Sequence, residues 1–232
     1  MRVELSKEIH FEAAHRNEHG GEPQQRLHGH SYRMHVTVEG EVVSEYGWLI
    51  DFGDIRQALQ PLYEQLDHAY LNELPGLDDA SLLGLREWIL EQGRASLPVL
   101  TDVRVEIVGD CAFKLMELMA EPQRSLPARL EFSFEAAQYL PQLPGGHPCR
   151  NLHGHSYRVQ VGAPVLRRLI EPLERLYHAV DHRCLNEIDG LGEATCEQLC
   201  KWMWDWLSRE EAGAEVIAIH ETQSSCCIYR GA

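Results

Sequence analysis

Leu27-His28-Gly29-His30-Ser31-Tyr32-Arg33 is written twice in this chain: it returns as Leu152-His153-Gly154-His155-Ser156-Tyr157-Arg158, 125 residues on (153 − 28 = 125). Two identical seven-residue strings in 232 residues point to an internal duplication, and an offset near half the length divides the chain into two units of ordinary domain size. Each unit is long enough to bury its own core.

The balance of 36 acidic against 21 basic residues, a formal charge of −15, argues against a sequence-independent grip on the phosphate backbone of nucleic acid. A local cluster can still take an anionic small molecule. No stretch approaches the roughly 18 consecutive apolar residues of a membrane span, and Glu4, Lys7 and Glu8 leave no room for an apolar leader. A soluble, cytoplasmic protein is expected. Seven cysteines, an odd number spread along the chain, suit reduced thiols better than a disulfide framework. Most read as small core residues, and Cys226-Cys227 as neighbours on opposite faces of a strand.

Outward from the first copy, residues 3 to 14 alternate loosely and end in Phe11-Glu12-Ala13-Ala14-His15, a strand running to an edge or mouth. After a polar loop from Asn17 to Arg26, Ser31 to Glu39 is a period-two strand, with Trp48 to Phe52 as its expected partner across a turn from Gly40 to Gly47. Asp54 reads as the N-cap of a helix through Ile55, Leu59, Leu62 and Leu66. A second helix is expected over Ala80 to Gln92, with Leu82, Leu85, Trp88 and Ile89 inward, and Val99 to Val108 as the closing strand. Ala120 to Pro127 reads as the linker, giving units of 1–122 and 123–232. The second unit replays this order, with strands at Leu130 to Ala137, Tyr157 to Val161 and from Val216, and helices near 164–178 and 196–207. Asp67-His68 returns as Asp181-His182 at an offset of only 114 (182 − 68 = 114), so about eleven residues are missing. The expected loss is the copy of Trp48 to Phe52.

Two His one residue apart on a strand point the same way, and a third at the end of the neighbouring strand completes a three-nitrogen set with its fourth position open. His15, His28 and His30 fit this pattern of a catalytic zinc site; three unrelated imidazoles among 13 His are the bland alternative. Asp67-His68 and Asp181-His182, each leading into Leu-Asn-Glu, read as a carboxylate that orients an imidazole for proton transfer, or as an Asp capping a turn beside an incidental His. Cys149 lies four residues before His153 in a loop where a thiol is exposed, and a nearby His would favour its reactive thiolate. The first unit has Gln24 there. Glu221, at a strand end before Thr222, could accept paired hydrogen bonds from an amino-pyrimidinone ring or be a solvated terminus; the first unit has Val108.

These residues resemble the family of 6-pyruvoyl-tetrahydropterin synthase and 6-carboxy-tetrahydropterin synthase, the latter an enzyme of queuosine biosynthesis. The resemblance rests on Phe11 to His15, the His-Gly-His-Ser-Tyr strings, Leu49-Ile50-Asp51-Phe52-Gly53-Asp54, the Asp-His-x-x-Leu-Asn segments, Ala194 to Leu199, Glu221-Thr222 and the spacing of Cys149 from His153 and His155. It implies an α+β fold of two tandem tunnelling-fold units, each an antiparallel sheet with two helices on one face, assembling as a homo-oligomer that closes a barrel. It further implies zinc on three His, a Cys and an Asp-His pair for proton transfer, a Glu that anchors a pterin, and a lyase reaction on 7,8-dihydroneopterin triphosphate. In that family the metal ligands and the Cys come from one unit while a neighbour supplies the Asp-His pair.

This chain departs from that pattern. Its first unit keeps His15, His28 and His30 but lacks the Cys and the Glu; its second keeps Cys149, Asp181-His182 and Glu221, but Gln138 stands where the first zinc His belongs. A weaker metal site at His153 and His155 could borrow Asp67-His68 and would be one His short. A zinc-dependent pterin synthase is the leading expectation. The alternatives are a catalytically degenerate pterin or purine binder, or a structural partner in a barrel.

Overall fold

In the computed structural model, which describes residues 1–43, 45 and 47–231, the two copies fold as two units, each with its own sheet and core. The first runs β1 (Arg2–His15), a short α1 (Glu22–Gln25), β2 (His28–Glu41), α2 (Phe52–Leu66), β3 (Ala69–Tyr70), α3 (Leu82–Ser96) and β4 (Leu100–Ile107). The second runs β5 (Met116–Leu118), β6 (Arg129–Gln138), β7 (His153–Gly162), α4 (Ile170–Val180), β8 (Arg183–Cys184), α5 (Cys196–Arg209), β9 (Val216–His220) and β10 (Cys226–Tyr229). The sheet orders are β3-β1-β2-β4 and β10-β9-β7-β6-β5, with β8 also on β6. In both units a long antiparallel hairpin carries a short parallel strand near the end that bears the repeated His residues, β3 on Ala13 and Ala14, β8 on Ala136 and Ala137.

Alternation decides which face each sheet buries. In β2, Tyr32, Met34, Val36 and Val38 enter the core under α2 and α3, against Ile55, Leu59, Leu85 and Ile89. In β6 and β7 the matching set is Phe132, Phe134, Tyr157, Val159 and Val161, under α4 and α5. The opposite faces are polar, as expected of an antiparallel sheet covered on one side. Among the described residues, no helix is long and apolar enough to cross a membrane.

Several boundaries differ from the sequence expectation. Trp48 pairs with Val43 in an isolated bridge and Phe52 opens α2, so among the described residues the expected partner strand does not form; residues 44 and 46 of the expected Gly40 to Gly47 turn lie outside the described residues. The physical reason is the cap: Asp51, and not Asp54, accepts from the Gly53 amide at 2.6 Å, which starts the helix three residues earlier. Leu82 begins α3 and is exposed, while Leu85, Trp88 and Ile89 point inward as expected. The trimming of the second unit is spread out: β7 has 10 residues against 14 in β2, and α4 has 11 against 15 in α2. Just before the stretch read as the linker, Met116–Leu118 pairs with Leu130 and its neighbours on β6, and within that stretch Glu121 bridges Leu126 around a single turn. The chain thus passes from the first sheet to the second between Ile107 and Met116. All seven cysteines are free; Cys184 and Cys200 are buried and Cys196 and Cys227 pack against the core of the second unit, whereas Cys111 and Cys226 are exposed and depart from the core reading.

The two units meet at the repeated string itself. A Cβ placed on Gly154 would lie 2.2 Å from the Cα of Gly29, and one on Gly29 would lie 2.4 Å from the Cα of Gly154. Only hydrogen side chains allow this approach, which explains a Gly between the two His in both copies. Reciprocal hydrogen bonds flank the contact: the Ser31 amide donates to Ser156 Oγ at 3.1 Å, and the Ser156 amide to Ser31 Oγ at 3.2 Å. Gly154→Ala is therefore expected to force the hairpins apart and to cost about 2–3 kcal/mol by the usual scale of overpacking, read as a lowered urea midpoint.

Candidate functional site

The Asp-His segments are built identically in both units. The Asp67 carboxylate accepts from the Glu12 amide at 3.0 Å and the His68 amide donates to the Glu12 carbonyl at 2.6 Å; Asp181 and His182 do the same with Glu135 at 3.0 and 2.7 Å. Asn72 then clasps the backbone of Arg16 through both its amide groups, as Asn186 clasps Tyr139, and Leu71 and Leu185 are fully buried. The shared Leu-Asn-Glu is thus a latch onto the end of the hairpin. It holds each His at a positive φ, 54° at His68 and 52° at His182. Non-glycine residues adopt this conformation at a cost, and the strain here aims each ring out of its own unit. His182 lies against His28 of the first unit, with centroids 4.3 Å apart, and His68 lies against His153 of the second at 4.5 Å.

In the first site, His15 ends β1 directly opposite His28 on β2, and His30 is two residues further along. Their Nε2 atoms converge, His15 to His28 at 3.0 Å and His30 to His15 at 3.1 Å. His15 Nδ1 faces the Ala80 carbonyl and His28 Nδ1 the Arg26 carbonyl, both at 2.8 Å. A carbonyl can only accept, so both Nδ1 carry the proton and both Nε2 turn bare lone pairs toward one another. Burial pushes His15 and His30 down to about 3 and lowers His28 further, with neighbouring imidazoles adding to the effect at His15 and His28, so a proton does not fill the gap near neutral pH. Converging lone pairs call for a cation. Tetrahedral zinc with bonds of about 2.0–2.1 Å would set its nitrogens roughly 3.3–3.4 Å apart, close to what is found. The donor set fits zinc.

The second site has the same backbone and different chemistry. Gln138 ends β6 opposite His153, where His15 faces His28. Tyr157 donates to Gln138 Oε1 at 2.5 Å, which turns the amide nitrogen toward Glu221 Oε1 at 2.8 Å and His153 Nε2 at 3.4 Å. A hydrogen-bond donor thus occupies the place of the third imidazole, whereas the buried hydroxyl of Tyr32, the counterpart of Tyr157, has no partner.

Cys149, on a single turn from Pro148 to Arg150, stands 3.6 Å from His68 Nε2, and His68 Nδ1 is held by Asp67 at 2.9 Å. Burial works to raise the Asp67 carboxyl, but bonds from His68 and the Glu12 amide bring it below the usual range. The Cys149 thiol is raised by burial, by Glu221 and by Asp67. Its surroundings therefore favour the thiol, contrary to the thiolate expected from the sequence. Glu221 borders a cleft of about 260 Å³ that Thr195, Glu197, Cys226 and Cys227 also line.

The structure brings together His15, His28 and His30 with Asp181-His182, and separately Cys149, His153, His155 and Glu221 with Asp67-His68. Sequence reasoning missed Glu12 and Glu135, each in Phe-Glu-Ala-Ala at the end of its hairpin. Glu135 is fully buried, holds His30 Nδ1 at 2.6 Å and accepts from Ser156 Oγ; Glu12 holds His155 Nδ1 at 2.9 Å and accepts from Ser31 Oγ. Each carboxylate thus serves a His of the other unit. Their repetition within the same motif was the available signal.

Two tandem α+β units presenting a three-imidazole site and a thiol-imidazole site across one interface define the class of protein. The profile described as 6-pyruvoyl tetrahydropterin synthase matches residues 4–114 and again 128–232, and the chain belongs to that family, as two fused tunnelling-fold units. It is 38% identical over 107 residues to the 6-carboxy-5,6,7,8-tetrahydropterin synthase of Synechocystis, a match covering 44% of this chain and 83% of that protein. It is 31% identical over 98 residues to the dihydroneopterin monophosphate aldolase of Pyrococcus furiosus, covering 42% and 81%. The 6-pyruvoyl tetrahydropterin synthase structure from Caenorhabditis elegans aligns with 20% identity and a TM-score of 0.42 over 47% of this chain and 90% of its own.

The buried neutral imidazoles carry a pH dependence. His15, His30 and His153 are each lowered to about 3, so between the ordinary value of 6.5 and 3 the unfolded chain binds protons that the folded one refuses. Stability of the metal-free protein should be full above pH 6.5 and fall as the pH drops toward 3. Urea midpoints measured across that range check this, with His153→Gln expected to flatten the slope.

Proposed function

We propose that this chain is a zinc-dependent pterin synthase acting on 7,8-dihydroneopterin triphosphate, a lyase forming 6-carboxy- or 6-pyruvoyl-tetrahydropterin in queuosine or pterin biosynthesis. The observation that carries this reading is the assembly of Cys149, His68 and Asp67 across the unit interface, in the unit whose Glu221 borders a cleft. Glu221 would accept ring N–H bonds from the pterin. Cys149 and His68 would take up and return a proton from a C–H bond of the pterin substituent, and Asp67 would keep His68 oriented through Nδ1. His15, His28 and His30 would hold the zinc in the first site, where it would supply positive charge to a hydroxyl bound there. Asp181-His182 stands beside that triad as a second proton carrier. A series of hydrogen bonds through Glu135, Ser156, Ser31 and Glu12 joins His30 of one site to His155 of the other, so the two half-sites share one polar interior.

A homo-oligomer fits the first sheet, where no strand lies outside β1 between Arg2 and Glu12 or outside β4 among the described residues. One observation favours a second reading, a pterin or purine binder that does not turn over: the Gln138 amide sits where the synthase pattern puts a ligand in the thiol-bearing unit.

Purified protein given dihydroneopterin triphosphate should convert it, and Cys149→Ala should lower kcat by about 10²- to 10⁴-fold, the usual weight of a positioned acid or base. Full activity in Cys149→Ala would remove the thiol from the mechanism. Thermal protection by a pterin without its consumption would establish the second reading.

A further inference from the structure

The second site contains a ligand set that the three-imidazole pattern does not include. His68 of the first unit joins Cys149 and His153 of the second, with one ligand atom from each lying within 4.8 Å of the others. We propose that these three residues form a second, inter-unit metal site for a thiophilic divalent cation such as zinc or cadmium, distinct from the triad at His15, His28 and His30.

The geometry already approaches coordination. With metal–sulfur and metal–nitrogen bonds of about 2.3 and 2.0–2.1 Å, a tetrahedral ion would separate the two donors by roughly 3.5–3.6 Å; Cys149 Sγ and His68 Nε2 are 3.6 Å apart. Both imidazoles are turned the right way. His68 Nδ1 is bound to Asp67 and His153 Nδ1 to the Asn151 carbonyl at 2.8 Å, which leaves each Nε2 facing the thiol side. A carboxylate behind a ligating His is the usual outer support of such a site, and Asp67 provides it. The rings of His68 and His153 are 4.5 Å apart, the same separation as His15 and His28. The one bond opposing a metal is the 3.4 Å contact from Gln138 Nε2 to His153 Nε2, at the long end for a hydrogen bond. Glu221 and Asp67 place negative charge around this site, which favours a cation there. On binding, the Cys149 S–H proton leaves to solvent and the thiolate bonds the metal.

This site goes beyond the proposed synthase reading and stands or falls separately from it. A metal there would tie up the thiol and imidazole assigned to proton transfer, so metal in excess of the triad should inhibit turnover.

The test counts metal and looks for sulfur. The protein is equilibrated with zinc and desalted, and bound zinc is measured for wild type and for Cys149→Ser, His68→Gln and His15→Ala. Two zinc per wild-type protomer are expected, with one lost in each variant. Replacement by cadmium should give an ultraviolet sulfur-to-metal absorption that persists in His15→Ala and falls in Cys149→Ser and His68→Gln. Equal zinc counts and equal absorption in wild type and in both second-site variants would overturn the proposal. Two independent variants guard against a folding defect in either. One zinc per wild-type protomer, lost in Cys149→Ser but kept in His15→Ala, would uphold this site and remove the triad reading instead.

Discussion

The contact of Gly29 with Gly154 is the constraint on which the rest of the molecule depends. Two backbones meet with no side chain between them, and the Ser31 and Ser156 hydroxyls and amides exchange hydrogen bonds across the joint. That proximity lets each unit finish the other. Glu12 and Glu135 reach across to His155 and His30, and the strained His68 and His182 present their rings to His153 and His28. A one-methyl increase at the joint would press on the Ser31 and Ser156 bonds that flank it.

Within this symmetric frame, single positions decide the chemistry. His15 and Gln138 occupy the same register opposite His28 and His153. An imidazole there, tied to the Ala80 carbonyl, leaves bare nitrogens converging in a buried site, a condition a metal ion would relieve. An amide there is oriented by Tyr157 and donates to its neighbours, so the polar groups satisfy one another. Gln24 and Cys149 divide the units in the same way, and the register sets Ile107, not the Val108 expected from the sequence, against Glu221, since Arg33 pairs with Glu106 as Arg158 pairs with His220. Duplication has separated a half with three converging imidazoles from a half that carries the thiol and the carboxylate.

Much of this was legible in the sequence because it is local. Alternation along Tyr32, Met34, Val36 and Val38 gave a strand with a defined inner face, and Leu59, Leu62 and Leu66 a helix. What misled was also local. Trp48 to Phe52 has the apolar content of a strand, but the Asp51 carboxylate accepts from the Gly53 amide and turns Phe52 into helix. Met116–Leu118, where no element is expected from the sequence, is an edge strand on β6.

The amino-acid order alone determined the duplication, the three-imidazole set, the two Asp-His pairs and the uneven distribution of Cys149, Glu221 and Gln138, since all of these follow from residue identity and spacing. Only the tertiary structure decided which pair serves which site. The latch of Asp67 and Asn72 onto the first hairpin, and of Asp181 and Asn186 onto the second, sends each His into the opposite unit. That exchange depends on how closely two separate backbones pack, a distance set by the absence of a Cβ at Gly29 and Gly154.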